Sequence, residues 1–97
     1  MNRDFTFYMA NIGVEIERMF KFKEKNDIKN LYWASQRFID LVAYIQKDIT
    51  IPRYRKKEIL RIKEAILDYF FWDKKYEIDL NFIKKYFALF YVKFSQR

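Results

Sequence analysis

The chain contains a single glycine, Gly13, and a single proline, Pro52. Glycine and proline supply the backbone conformations that tight turns require, so a protein of many short strands needs several of each. A chain of 97 residues with only these two is poorly suited to a β-sandwich or a barrel. We therefore expect an all-α protein, and one domain over residues 1–97, because about 100 residues is a usual domain size.

Apolar residues recur at intervals of three and four positions, which is the spacing of a helix with one buried face. This pattern predicts four helices, at about 5–25, 28–47, 53–72 and 80–95. The connections between them are short, and short connections favour antiparallel neighbours. The expected fold is an antiparallel up-down four-helix bundle.

Polar residues at the joints indicate where helices begin, because their side chains accept hydrogen bonds from the free N–H groups of the first turn. The candidate N-caps are Asp4 or Thr6, Asn26 or Asp27, Thr50, and Asp79. Gly13 lies inside the first helix, where glycine costs about 1 kcal/mol relative to alanine. We interpret it as a place where a neighbouring helix approaches closely. The alternative is that residues 11–13 interrupt the helix.

The chain has no histidine and no cysteine. Zinc, copper and iron–sulfur sites, Ser-His-Asp and Cys-His catalysis, and disulfides are therefore excluded. One glycine cannot build a phosphate-binding loop. Glu15 and the pair Glu64 and Asp68 are the carboxylates considered for acid–base chemistry, but outward pairing with Lys or Arg is the expected role. We therefore predict a non-enzyme with no catalytic residue, metal or cofactor.

No apolar run approaches the ~18 residues of a membrane span. The first residues also lack the pattern of a signal peptide, so a cytoplasmic protein is expected. Helix four is basic and rich in Phe and Tyr, as interfacial helices are. Its polar side is narrow, however, and the bundle needs its apolar side, so membrane binding is not favoured.

The formal net charge is +7, and most of the excess lies in the second half of the chain. Residues 52–72 and 73–97 each carry six basic and three acidic groups. A cluster of bases at the start of helix three opposes the helix dipole, and such a cluster would favour a bound anion such as a phosphate. The predicted nucleic-acid-binding residues are Arg53, Tyr54, Arg55, Lys56, Lys57 and Arg61. The alternative is a solvated face that keeps an aromatic protein in solution.

A second basic cluster is formed by Lys74, Lys75, Lys84 and Lys85. In an antiparallel bundle it lies towards the other end from the first cluster. We expect it to be a solvated outer face.

The chain has 11 Phe, 8 Tyr and 2 Trp, which is more than one small bundle core can hold. Residues 89–92 are apolar on every side of helix four apart from one hydroxyl. This surplus predicts a homo-oligomer or a protein partner, bound through helix four and the end of helix three. The predicted interface residues are Phe71, Trp72, Phe87, Phe90, Tyr91 and Phe94. Stacking of exposed rings on unpaired bases is the alternative use.

No motif in the sequence identifies a family. The first functional hypothesis is a non-catalytic accessory bundle that self-associates and presents a basic surface to RNA or DNA phosphates. The alternative is a protein-interaction module that docks a partner through the aromatic surface of helix four and binds no nucleic acid.

Overall fold

The computed structural model describes residues 5–71 and 80–95, which form four α-helices and no strand. They are α1 (Phe5–Glu24), α2 (Ile28–Lys47), α3 (Arg53–Phe71) and α4 (Leu80–Ser95). The predicted all-α class is confirmed. In these two ranges, none of the helices has the length and apolarity that crossing a bilayer requires.

The four helices run alternately up and down. α1 packs against α2 and α4, and α2 packs against α3. At one end of the bundle, the rings of Phe5 in α1 and Phe90 in α4 meet edge to face, with centroids 5.6 Å apart. At the other end, the ring of Phe20 lies 4.9 Å from that of Phe70 in α3. α1 is therefore parallel to α3 and antiparallel to α4, as the predicted bundle requires.

The core is made by one stripe from each helix, because residues three and four apart share a helix face. Aliphatic side chains and methionine dominate it, and Phe38 is its largest fully buried member. The buried apolar residues are Met9, Ala10, Ile12, Ile16, Met19, Leu31, Ala34, Phe38, Val42, Ile45, Ile51, Ile59, Ile66, Ile83 and Phe87.

Gly13 lies where α1 and α4 approach each other closely. A Cβ atom built on Gly13 would lie 2.7 Å from Cβ of Phe87 and 3.7 Å from its Cα, so α4 fits only because residue 13 has no side chain. The predicted close approach is confirmed. α1 is continuous from Phe5 to Glu24, so the alternative of an interruption at residues 11–13 is wrong.

Two residues share the turn between α1 and α2. Asn26 adopts a left-handed conformation (φ 55°), which ends α1. Asp27 is the N-cap of α2, because its carboxylate accepts hydrogen bonds from the N–H of Asn30 (3.2 Å) and from its Nδ2 (2.7 Å). These bonds hold the pKa of Asp27 below its ordinary value. Thr6 lies inside α1 and is not its cap.

The other two candidate caps, Asp4 and Asp79, lie outside the described residues.

Candidate nucleic-acid interface

Backbone hydrogen bonds close the first turn of α3. The N–H groups of Arg55 and Lys56 donate to the carbonyl of Pro52, at 3.1 and 3.2 Å. Thr50, which the sequence predicts as the cap, instead donates from its hydroxyl and its N–H to Oδ1 of Asp48, at 2.6 and 2.9 Å. These bonds lower the pKa of the Asp48 carboxyl. The Thr50 prediction is wrong because α3 begins at Arg53, which puts Pro52 at the N-cap position, while Thr50 belongs to the preceding turn with Asp48.

Three basic side chains on α3 share one exposed face. Arg53, Lys57 and Arg61 are four residues apart and all are exposed, so they form a row of three charges about 6 Å apart along the helix axis. We call these three residues the basic stripe. Tyr54, beside the first of them, is 65% exposed. Four of the six predicted nucleic-acid-binding residues therefore face outward.

The basic stripe has no acidic partner among the described residues. Within residues 5–71 and 80–95, no carboxylate oxygen lies within 4.0 Å of a charged nitrogen of Arg53, Lys57 or Arg61. The first turn of α3 also contains no acidic residue. Three positive charges are thus presented to solvent along the first half of α3, and Arg53 lies in the first turn, where the helix dipole is also positive. This arrangement favours an external anion.

The other two predicted residues, Arg55 and Lys56, are half-buried. The guanidinium of Arg55 lies 5.1 Å above the ring of Phe5 in α1 and 5.4 Å from the ring of Tyr54. The carbonyl of Lys56 accepts a hydrogen bond from Nε2 of Gln46 in α2 (3.0 Å). Arg55 thus holds α3 against α1, and it is less available to a ligand than the basic stripe.

Tyr86 joins α4 to α3 beneath Arg55. Its hydroxyl donates a hydrogen bond to Oε1 of Glu58. Burial raises the pKa of Tyr86 well above its ordinary value, the bond to Glu58 and the charge of Glu58 raise it further, and Arg55 acts in the opposite direction. This pair is not among the contacts predicted from the sequence. The available signal is that a tyrosine on an apolar helix stripe needs a polar partner once it is buried.

Glu15 is a buried carboxylate, only 5% exposed. Its Oε1 accepts from Nη1 of Arg18 (2.6 Å), and its Oε2 accepts from Nε of Arg37 (2.9 Å), so the group braces α1 against α2. Asp68 is buried to the same degree. The expectation that these carboxylates point outward is therefore wrong for Glu15 and Asp68, whereas Glu64 is exposed as expected. Glu15 lies three residues after Ile12, and that spacing alone places it on the buried face.

No three acidic side chains in the described ranges lie close enough together to hold a metal ion.

The structure describes three of the six predicted interface side chains. Phe71 is 40% exposed, whereas Phe90 is half-buried against Phe5. Phe87 is 3% exposed and lies in the core, because Gly13 leaves room for it. Phe87 is therefore not part of the outer surface, contrary to its predicted place in the interface.

Trp72 lies outside the described residues, and the structure describes the backbone of α4 but not the side chains of Tyr91 and Phe94. The exposed apolar side chains that the structure describes on α4 are different from the predicted ones. Phe82, Leu89 and Val92 are 61%, 69% and 51% exposed. An exposed apolar surface on α4 is thus predicted from the sequence. The residues that form it in the structure differ from the predicted ones.

The second basic cluster lies at the far end of the molecule from the start of α3. The ammonium of Lys84 is 5.5 Å from the ring of Phe20, near the end of α1, whereas Arg55 lies over Phe5 at its beginning. Lys74 and Lys75 lie outside the described residues. The basic stripe and Lys84 therefore do not form one continuous surface.

Comparisons of the chain with protein-family models, curated proteins and solved structures give no significant match.

Proposed function

We propose that this chain is a non-catalytic nucleic-acid-binding protein whose basic stripe contacts backbone phosphates. The observation that carries the proposal is the row of three exposed cations on α3, Arg53, Lys57 and Arg61, with no carboxylate within ion-pair distance in the described residues. Exposed Lys and Arg side chains make the phosphate contacts that dominate nucleic-acid affinity.

The ring of Tyr54 adds a second kind of contact. It is 65% exposed and lies next to the first cation of the basic stripe. Single-strand binders combine cations along the backbone with aromatic rings on which bases stack. We therefore expect single strands to bind at least as well as duplexes. Sequence preference should be weak, because phosphate contacts carry no base information.

The proposal predicts a defined dependence on salt. Each phosphate that is neutralised contributes about −0.7 to a plot of log affinity against log salt for a single strand, and about −0.9 for a duplex. Contacts from the three cations of the basic stripe should therefore give a slope of about −2 to −3.

The test is fluorescence anisotropy with a labelled single strand and the matching duplex, measured from about 50 mM salt upward. The double variant Lys57→Gln/Arg61→Gln should bind more weakly, and its slope should be shallower by about 1.5. The matched control Lys25→Gln/Lys29→Gln removes the same charge from exposed positions outside α3. Equal losses in the two double variants, or no binding at about 50 mM salt, would contradict the proposal.

The stacking contribution is tested separately. Tyr54→Ala should weaken binding of the single strand and leave binding of the duplex nearly unchanged. Tyr44→Ala is the control, because Tyr44 is also exposed (52%) but lies on α2. If the two variants lose the same affinity, Tyr54 does not stack on a base.

A further inference from the structure

The outer face of α4 carries residues at the spacing of a coiled-coil seam. Phe82, Lys85, Leu89 and Val92 follow one another at intervals of three, four and three residues, and all four are exposed. We call these four residues the α4 seam. We infer that the α4 seam binds an acidic amphipathic helix of another protein. This inference does not rest on nucleic-acid binding, because the α4 seam and the basic stripe share no residue.

α4 is apolar on two opposite sides. Its inner side contributes Ile83 and Phe87 to the core. Its outer side exposes three large apolar side chains of the α4 seam by 51–69%. A surface helix of a monomeric protein normally has a polar outer face, so an outward apolar row at seam spacing indicates a site for a second helix. The 16 residues of α4 span about 24 Å, which is enough for two heptads of contact.

The positive charge of α4 favours an acidic helix as its partner. The sequence of α4 contains three lysines and no acidic residue. Lys85 lies within the α4 seam itself and is exposed. A partner helix with Asp or Glu beside its apolar row would pair with these lysines, in the way that charges flanking a coiled-coil seam select partners.

A second copy of the chain fits this surface less well. Parallel pairing of two α4 helices sets Lys85 against Lys85, and antiparallel pairing that matches Phe82 with Val92 sets Lys85 against Leu89. Neither arrangement supplies a carboxylate from α4. Two copies would also bring together two chains of net charge +7. An acidic partner removes both difficulties.

An anionic membrane shares the charge preference but requires a different shape. A helix that lies in a bilayer interface buries a broad apolar face about 5–10 Å deep. The α4 seam is narrow and is interrupted by Lys85. A seam of this width matches the contact between two helices.

The test uses the full chain and a labelled peptide of about three heptads, with Leu at the a and d positions and Glu at e and g. One control peptide has Lys at e and g, and a second has the acidic composition in scrambled order. At about 0.15 M salt, the acidic heptad peptide should bind at least about tenfold more tightly than either control.

Substitutions then place the peptide on the α4 seam. Leu89→Ala should weaken binding of the acidic peptide about tenfold, because Leu89 is the most exposed of the three apolar members of the seam. The control Ile49→Ala removes an apolar side chain that is 94% exposed outside α4, and it should change nothing. Lys85→Glu should weaken the acidic peptide and strengthen the Lys peptide.

Four results would overturn the inference. The first is equal binding of the scrambled acidic peptide, and the second is no loss in a Leu89→Ala variant with unchanged helicity. The third is a homodimer in sedimentation that Leu89→Ala disperses, which would make a second copy the occupant. The fourth is binding to vesicles that contain phosphatidylserine, sensitive to Leu89→Ala, without binding of the peptide. Because Leu89 is 69% exposed, its truncation does not disturb the core.

Discussion

Substitution of Gly13 by alanine tests the packing of α1 on α4. The test is whether the free energy of unfolding rises or falls. In an open helix, alanine would be more favourable than glycine by about 1 kcal/mol. At this position the added Cβ would lie 2.7 Å from Cβ of Phe87. That atom and the nearby Cα cannot be moved by a change of rotamer, so relief of the overlap requires a shift of the α4 backbone.

The size of the effect follows from the required shift. Moving the two Cβ atoms from 2.7 to 3.4 Å, where ordinary contact begins, needs a separation of about 0.7 Å. A gap of about 0.5–1 Å removes a quarter to a half of the dispersion attraction between facing atoms. Proteins with overpacked cores are destabilised by about 1–3 kcal/mol. After the propensity gain of about 1 kcal/mol is subtracted from this loss, we expect Gly13→Ala to lower the free energy of unfolding by about 1 kcal/mol, and by no more than about 2 kcal/mol.

Urea and thermal unfolding, followed by circular dichroism, measure this change. For a chain of this size a loss of about 1 kcal/mol lowers Tm by roughly 4–8 °C. Lys21→Ala is the control, because Lys21 is exposed on the same helix and its substitution should stay within about 0.5 kcal/mol of the parent. An increase of about 1 kcal/mol in Gly13→Ala would refute the reasoning, since it would show that the propensity gain is not opposed by Phe87.

Three further predictions concern the ionisable groups. Glu15→Gln should lower the free energy of unfolding by about 1–3 kcal/mol in urea, because two guanidinium groups lose their shared carboxylate, whereas the exposed Glu17→Gln should have little effect. The pKa of Asp27 is lower in the folded chain than its ordinary 3.8, so its stabilising effect is complete above pH 3.8 and is lost as the pH falls through the folded value; the difference in Tm between Asp27→Ala and the parent should shrink there. The pKa of Tyr86 is raised above its ordinary 10.0, so stability should fall as the pH rises beyond 10, and Tyr86→Phe should flatten that fall in unfolding measurements while Tyr44→Phe does not.

The sequence predicts the helices well because their stripes and caps are local. The three-four spacing in α2 depends on residues a few positions apart, and Asp27 caps the helix through the first turn that follows it. Thr50 fails as a cap for an equally local reason, since α3 begins at Arg53 and Thr50 belongs to the preceding turn with Asp48. Two polar residues within reach of each other offer alternative turns, and composition alone does not decide between them.

Only some of the predicted site residues are exposed in the structure, because the burial of a side chain depends on contacts with other helices. Spacing within α3 is enough to place Arg53, Lys57 and Arg61 on one face. It does not show that Arg55 turns towards Phe5, which belongs to another helix.

The choice between the apolar stripes of α4 is likewise made outside α4. Gly13 in α1 admits Phe87 and thereby turns the α4 seam outward. The sequence shows that there are more apolar side chains than one small core can bury. It does not show which of them remain exposed, because that depends on contacts between helices.

The two proposed surfaces both use positive charge, but salt should affect them differently. Binding of phosphates by the basic stripe depends on the release of counterions and should fall steeply as salt rises. The α4 seam has three apolar members to one lysine, so most of its binding energy should come from burial, which added salt does not screen. In one salt series the oligonucleotide should therefore dissociate while the acidic peptide stays bound. If both dissociate together, α4 acts only as a patch of charge, and the spacing of Phe82, Leu89 and Val92 has no part in recognition.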